Sequence, residues 1–242
     1  MKLIIIRHAD PDYSIDSLTP TGWKEAELLS ERIKKLDIKA FYVSPLGRAQ
    51  DTASLTLKKM QREATTLPWL REFQCQITRP DREKKTVPWD WLPADWTSVP
   101  KHFDKGAWCH TEIMKNGGVD EGYQWVTSEL DKLLANHGYV RENYYYRAAQ
   151  PNNDTIVFFC HFGLECVLLS HLLNVSPMIL WHGMCAAPSS VTTLVTEERR
   201  EGIAYFRMSA FGDISHLYAA GEEPSFAARF CETYSNMNER HD

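Results

Sequence analysis

Three short stretches of this 242-residue chain set arginine or histidine at or soon after the end of an apolar run: "LIIIRHAD" (3–10), "AFYVSPLGRAQDTA" (40–53) and "DTIVFFCHFG" (154–163). Arg7 and His8 follow four branched aliphatics, Arg48 lies four residues after Ser44, and His161 follows a run ending in Cys160. Two arginines and two histidines brought to one place form a strongly electropositive pocket. Its natural guest is a phosphoryl group, held by guanidinium forks and by backbone N–H groups at a helix N-terminus. Phosphoryl transfer needs an in-line nucleophile and neutralisation of three equatorial oxygens, and little else. A histidine crowded by arginines is kept unprotonated and nucleophilic near neutral pH, because like charges oppose its protonation.

The elements that must position these residues can be read from periodicity. Leu3–Ile6 and the runs 40–44 and 154–160 are uninterrupted apolar stretches, the pattern of strands buried on both faces. If they are parallel neighbours, His8, Arg48 and His161 all point into the crevice at the strands' carboxyl edge. Thr19 caps a helix opened by Pro20, and Trp23, Ala26, Leu29, Ile33 and Leu36 recur as one buried face. Ser44-Pro45 repeats the cap-plus-proline signal and starts a helix carrying Arg48 in its first turn. Residues 66–72 form an extended approach ending at Glu72. Helices are expected over 119–137, closed by Gly138, and over 163–173. An antiparallel pair is expected at 191–197 and 203–209. The stretch 73–118 differs in kind: Trp89, Trp91, Trp96 and Trp108 stand among prolines and charges with no sustained period. It reads as an insertion, or lid, over a single domain spanning 1–242. Its tryptophans either pack it onto the body or face substrate. The fold class expected is α/β, a three-layer α/β/α arrangement with a mostly parallel central sheet.

Composition narrows the partners. A hydrophobic share of 43% supports a real core, and a net charge of −5 without any long basic run argues against nucleic acid and anionic membrane. Cysteines 75, 109, 160, 166, 185 and 231 show no CxxC pair, and the histidines at 102, 110, 137, 171, 182, 216 and 241 have no zinc-like spacing. Reduced thiols, no metal and no cofactor are therefore expected. "MKLIII" runs straight into a charged motif, unlike a signal peptide, so a cytoplasmic protein is expected. A tryptophan-rich edge could serve a homodimer contact.

Taken in order, "RHAD", "LTPTGWKEA", "SPLGRAQDTA" and "CHFG" resemble the signature segments of the histidine phosphatase superfamily, the phosphoglycerate mutase-like fold. The likeness is dense over 1–72 and 155–175 and thin over 73–150. It implies that His8 is the nucleophile, passing through a phosphohistidine, and that Arg7, Arg48 and His161 bind phosphoryl oxygens. It also implies that Glu72, in "WLREF", protonates the leaving oxygen; Asp10, two residues from His8, is the rival acid. Ser14, six residues after His8, is either a substrate contact from the loop or a plain turn residue. Two departures stand out. Ala9 replaces the usual glycine, and Phe162 replaces a small residue, setting an aromatic wall at or near the pocket.

The resemblance points to a metal-independent phosphomonoester hydrolase acting on a small phosphorylated metabolite. A mutase is the first competitor. The family's mutases carry an E-R-x-Y-G-type stretch soon after the acid, where this chain has "LREFQCQITRP". A non-catalytic phosphate-binding regulator is the second competitor, disfavoured because every reactive residue is present.

Overall fold

The computed structural model describes residues 1–241. The first strand, β1 (Lys2–Arg7), alternates its side chains between two cores. Leu3 and Ile5 face one hydrophobic cluster, while Ile4 and Ile6 face the other. A strand buried on both faces has no polar side, which is why its sequence is unbroken apolar. Full burial of each such aliphatic stabilises by about 1.5–3 kcal/mol, so a one-residue slip in register is strongly opposed.

After β1, the short strands β2 (Pro11–Asp12) and β3 (Ser17–Leu18) form a small hairpin. Helix α1 (Pro20–Ile33) follows; Thr19 Oγ1 accepts the N–H of Gly22 as its cap. Trp23 is a correction to the expected buried face: it is 38% exposed, and Gly22, Glu25, Ala26, Leu29, Ser30 and Ile33 point inward instead. Close approach explains the shift. A Cβ on Gly22 would meet the Asp10 carbonyl oxygen at 2.1 Å, so the helix packs through its glycine rather than through an indole.

Strand β4 (Ala40–Val43) leads to α2 (Gly47–Met60). The expected Ser44 cap is not formed: Leu46 occupies the cap position, without a side-chain hydrogen bond. Residues 66–72 are only partly extended, with β5 (Thr65–Thr66) followed by a single 3₁₀ turn at Pro68–Leu70. The insertion carries two short helices, α3 (Pro93–Thr97) and α4 (Glu112–Asn116). Its Trp91 and Trp108 are buried, and Trp108, Trp89 and Phe73 gather around Trp181. The packing role therefore accounts for most of this aromatic content.

Helix α5 (Val119–Asn136) ends before Gly138, whose φ is +91°. The hairpin β6 (Tyr139–Glu142) and β7 (Tyr145–Ala148) was not anticipated, because "YVRENYYYRA" shows no clear alternation. The chain continues through β8 (Thr155–Cys160), α6 (Phe162–Leu173), α7 (Pro177–Gly183), β9 (Val191–Arg200), β10 (Ile203–Asp213) and α8 (Ser215–Tyr218).

Sheet order is β5-β4-β8-β1-β9-β10-β7-β6. β5, β4, β8 and β1 are mutually parallel, and only β9 and β7 run against the other six. The α1/α2 side chains pack on one face and α5, α6, α7 and the insertion on the other, giving the expected three layers. Among the described residues, no helix is long and apolar enough to cross a membrane.

Candidate active site

β8 lies between β1 and β4, so the carboxyl ends of all three strands open onto one crevice. Arg7 and His8 leave β1, His161 leaves β8, and Arg48 enters from the first turn of α2. Burial is nearly complete: His161 is 0% exposed, His8 2%, and Arg7 and Arg48 7% each. The rings of His8 and His161 lie 5.1 Å apart between centroids. The structure thus brings together the four residues singled out from sequence.

His8 has a defined tautomer. Its Nδ1 lies 2.8 Å from the Ala9 carbonyl oxygen, which can only accept, so Nδ1 carries the proton and Nε2 the lone pair. Its pKa is well below the ordinary histidine value. Burial is the first cause and the Arg7 charge the second, whereas the sequence pointed to the arginines alone. Ala9 adopts no left-handed conformation; its N–H donates to Thr52 Oγ1, and Thr52 donates in turn to the Arg48 carbonyl.

His161 is held by Ser44, whose Oγ lies 2.7 Å from Nε2. Ser44 Oγ also accepts the Leu46 N–H, leaving its own proton free to donate to Nε2. In that tautomer Nδ1 is an N–H, buried and without a partner among the described residues. Arg7 Nε and Arg48 Nε are buried and unpartnered in the same way. An unmet buried donor costs about 1–3 kcal/mol, and an oxyanion in the crevice is the species that would satisfy all three.

Arg7 Nη1 donates to the Ala186 carbonyl, and Arg7's guanidinium lies 5.8 Å from the centre of the Phe162 ring. Phe162 therefore lies beside the Arg7 guanidinium. Arg48 Nη1 donates to Asp16 Oδ1, and Gly47 N–H donates to Asp16 Oδ2 at 2.7 Å. A Cβ at Gly47 would meet the Asp16 carbonyl oxygen at 2.1 Å, so glycine is required there. Tyr13 lies over the Arg48 guanidinium at 5.3 Å.

Glu72 reaches the N-terminus of α6. Its Oε1 accepts the N–H groups of Phe73 (2.8 Å) and Leu164 (2.9 Å), and its Oε2 accepts that of Gly163 (3.3 Å). Burial raises its pKa above the ordinary carboxylate value, against the opposing pull of these bonds and of Arg7. Trp89 packs here too: a Cβ on Gly163 would meet both the Trp89 ring and Glu72 Oε1 at 2.7 Å. Asp16 occupies part of the α2 N-terminus and Glu72 part of that of α6, accepting from Gly47 and from Gly163 and Leu164. The N–H of Phe162, the first residue of α6, has no partner among the described residues and remains open beside His161.

Asp10 is committed elsewhere, accepting from Thr19 Oγ1 and Ser225 Oγ. Ser14 is exposed, and both its N–H and its hydroxyl donate to Asp12 Oδ1; its bonds are those of a turn residue.

Sequence reading passed over Asp16 and Glu165. Nothing in the loop composition marks Asp16. Glu165 did carry a signal, a lone carboxylate in the apolar run "FGLECVLL". It is 1% exposed, and burial raises its pKa to about 7, with Arg7 opposing and Glu72 reinforcing the rise. The folded state therefore holds a proton that the unfolded state releases between pH 4.5 and about 7. This destabilises the fold as pH rises through that window. The rise corresponds to about 3 kcal/mol. Glu165→Gln is expected to flatten the fall in stability between pH 5 and pH 8 by an amount of that order, measured by urea denaturation. Parallel pH dependences in the two proteins would show that Glu165 ionises freely.

The chain matches the model of the histidine phosphatase superfamily (branch 1) over residues 3–112. It is 34% identical over 77 residues to a 2,3-bisphosphoglycerate-dependent phosphoglycerate mutase of Thermoplasma acidophilum, a match covering 27% of this chain and 38% of that protein. Among solved structures, a phosphoserine phosphatase mutant from Entamoeba histolytica, bound to phosphoserine, superposes with a TM-score of 0.59 at 21% identity, covering 89% of this chain and 98% of that one. A mycobacterial glucosyl-3-phosphoglycerate phosphatase, complexed with VO3, gives 0.53 at 19%, covering 87% and 98%. The alpha-ribazole phosphatase from Shigella flexneri gives 0.54 at 19%, covering 86% and 95%. These likenesses establish a common fold.

Proposed function

From a chain that belongs to the histidine phosphatase superfamily, we propose a phosphomonoester hydrolase that works through a phosphohistidine at His8. The observation that carries this reading is the neutral His8 imidazole, with its Nε2 lone pair free, set beside the unpartnered donors of Arg7, Arg48 and His161. In the first step Nε2 attacks phosphorus in line, while Glu72, whose pKa burial raises, gives its proton to the departing oxygen. In the second step the Glu72 carboxylate takes a proton from water as that water attacks phosphorus, the P–Nε2 bond breaks, and inorganic phosphate leaves. The guanidinium groups supply the positive charge that a metal would otherwise bring. Small phosphate esters suit reactive side chains buried this deeply.

Hydrolysis of p-nitrophenyl phosphate, followed with and without EDTA, tests the reading. The rate is expected to be equal in both, and vanadate is expected to compete. Loss of rate in EDTA, restored by magnesium or zinc, would overturn the metal-independent account. The acid limb of kcat/KM is expected below pH 6.5, because His8 resists protonation until the pH falls well under its ordinary value.

The relative from Thermoplasma acidophilum favours a second reading, a mutase. Incubation with 3-phosphoglycerate and 2,3-bisphosphoglycerate separates the two. A hydrolase releases inorganic phosphate, whereas a mutase yields 2-phosphoglycerate with little phosphate released.

A further inference from the structure

Helix α6 leaves the crevice at Phe162 and ends at Leu173, about 18 Å away at 1.5 Å per residue. Beyond its end lies a separate cavity of about 550 Å³, lined by Asp104, Lys105, Arg141, Asn143, His171 and Asn174, with Tyr144 at the rim. Two cations converge on it, and neither has a carboxylate partner among the described residues. Arg141 donates to the carbonyl oxygens of Asn143 and His171 and to Asn174 Oδ1, all neutral acceptors. Among the described residues, Lys105 Nζ meets only the hydroxyl and ring of Tyr123. Carboxylates are nearby but already engaged. Asp131 accepts from Tyr146 and lies 2.9 Å from His171 Nε2, and Asp104 Oδ1 accepts the Gly106 N–H. Burial, and then the charge of Arg141, lower the Lys105 pKa to about 8, as expected of two cations held close without a counter-ion.

A partly buried pair of cations, neither in contact with a carboxylate, is costly, and an anion in the cavity would relieve the repulsion. We propose that this cavity is a second binding site, distinct from the crevice, for a small oxyanion bearing a phosphoryl or carboxylate group, held between Lys105 and Arg141. The bound anion would tie the insertion, through Lys105, to the far end of α6 and to the β6–β7 turn. α6 is the helix whose other end holds Glu72 and is entered from His161.

Calorimetric titration with inorganic phosphate, and separately with citrate, tests the proposal. Wild type is expected to bind two phosphates per chain. Lys105→Met/Arg141→Met should lose one of them, with affinity falling at least tenfold, while keeping the wild-type rate with p-nitrophenyl phosphate. Arg48→Met should lose the other. A single site that disappears in Arg48→Met and persists in the double variant overturns the proposal. A single site with the opposite behaviour supports it and counts instead against the reading of the crevice. Citrate binding that is lost in the double variant assigns the site to oxyanions generally; phosphate binding alone assigns it to phosphoryl groups. The amide resonances of Gly106, Asn143 and Asn174 in wild type give a readout independent of any variant's folding. Saturable shifts on phosphate addition are expected, and their absence overturns the proposal.

Discussion

His8→Ala is expected to lower kcat/KM for p-nitrophenyl phosphate by about 10³-fold or more, which corresponds to about 4 kcal/mol of barrier. The substitution removes Nε2, the atom proposed to attack phosphorus. Neither neighbour can take its place as nucleophile: His161 Nε2 is taken up by Ser44, and Glu72, held by three N–H groups, is assigned to the leaving oxygen. A water admitted to the vacated space would have no base fixed to activate it. Binding should survive, because Arg7, Arg48 and His161 remain; inorganic phosphate should therefore still bind the variant within about tenfold of its wild-type affinity. Circular dichroism separates loss of chemistry from loss of fold. Activity within tenfold of wild type would sink the covalent route.

Glu72→Gln is expected to act according to the leaving group. A sugar or alkyl alkoxide is strongly basic and needs its proton, so the variant should hydrolyse an alkyl phosphate more slowly by about 10²–10⁴-fold. p-Nitrophenolate leaves readily without a proton, so the loss there should be distinctly smaller. The comparison must be made in kcat/KM, which reports phosphorylation of His8 and not the later dephosphorylation. The geometry also supplies a control. Glutamine's oxygen can still accept from Phe73 and Leu164, but its NH₂ would face the Gly163 N–H, donor against donor. Damage of that kind displaces α6 for every substrate alike. Equal slowing of the two esters would therefore assign Glu72 a positioning role at the α6 N-terminus and remove it as the acid.

The sequence by itself determined the central strands β1, β4 and β8 and the four residues at their ends. Runs such as "LIII" and "TIVFFC" are buried on both faces, and a chain leaving such a strand reaches the sheet edge at the next residue. His8 and His161 could therefore be placed from order and spacing alone, and Thr19-Pro20 marked the start of α1 by local chemistry that needs no tertiary partner. Where a residue's role depends on something distant in the chain, spacing failed. Ser44 looked like a helix cap and instead orients His161, 117 positions on. Trp23 fitted a helical period, yet Gly22 decides which side of α1 can approach the Asp10 loop. The β6–β7 hairpin and the insertion lacked a period because each is held by contacts from several elements, not by one repeating face. Only the tertiary structure decided that Asp16 and Glu72 occupy parts of the two helix N-termini, leaving the Phe162 N–H and the side-chain N–H groups as the open donors. It alone set Glu165 within reach of the charges of Arg7 and Glu72, and left Lys105 and Arg141 facing one cavity with no carboxylate contact among the described residues. Those outcomes follow from burial and from charges meeting across the fold, and neither quantity exists until the chain has closed on itself.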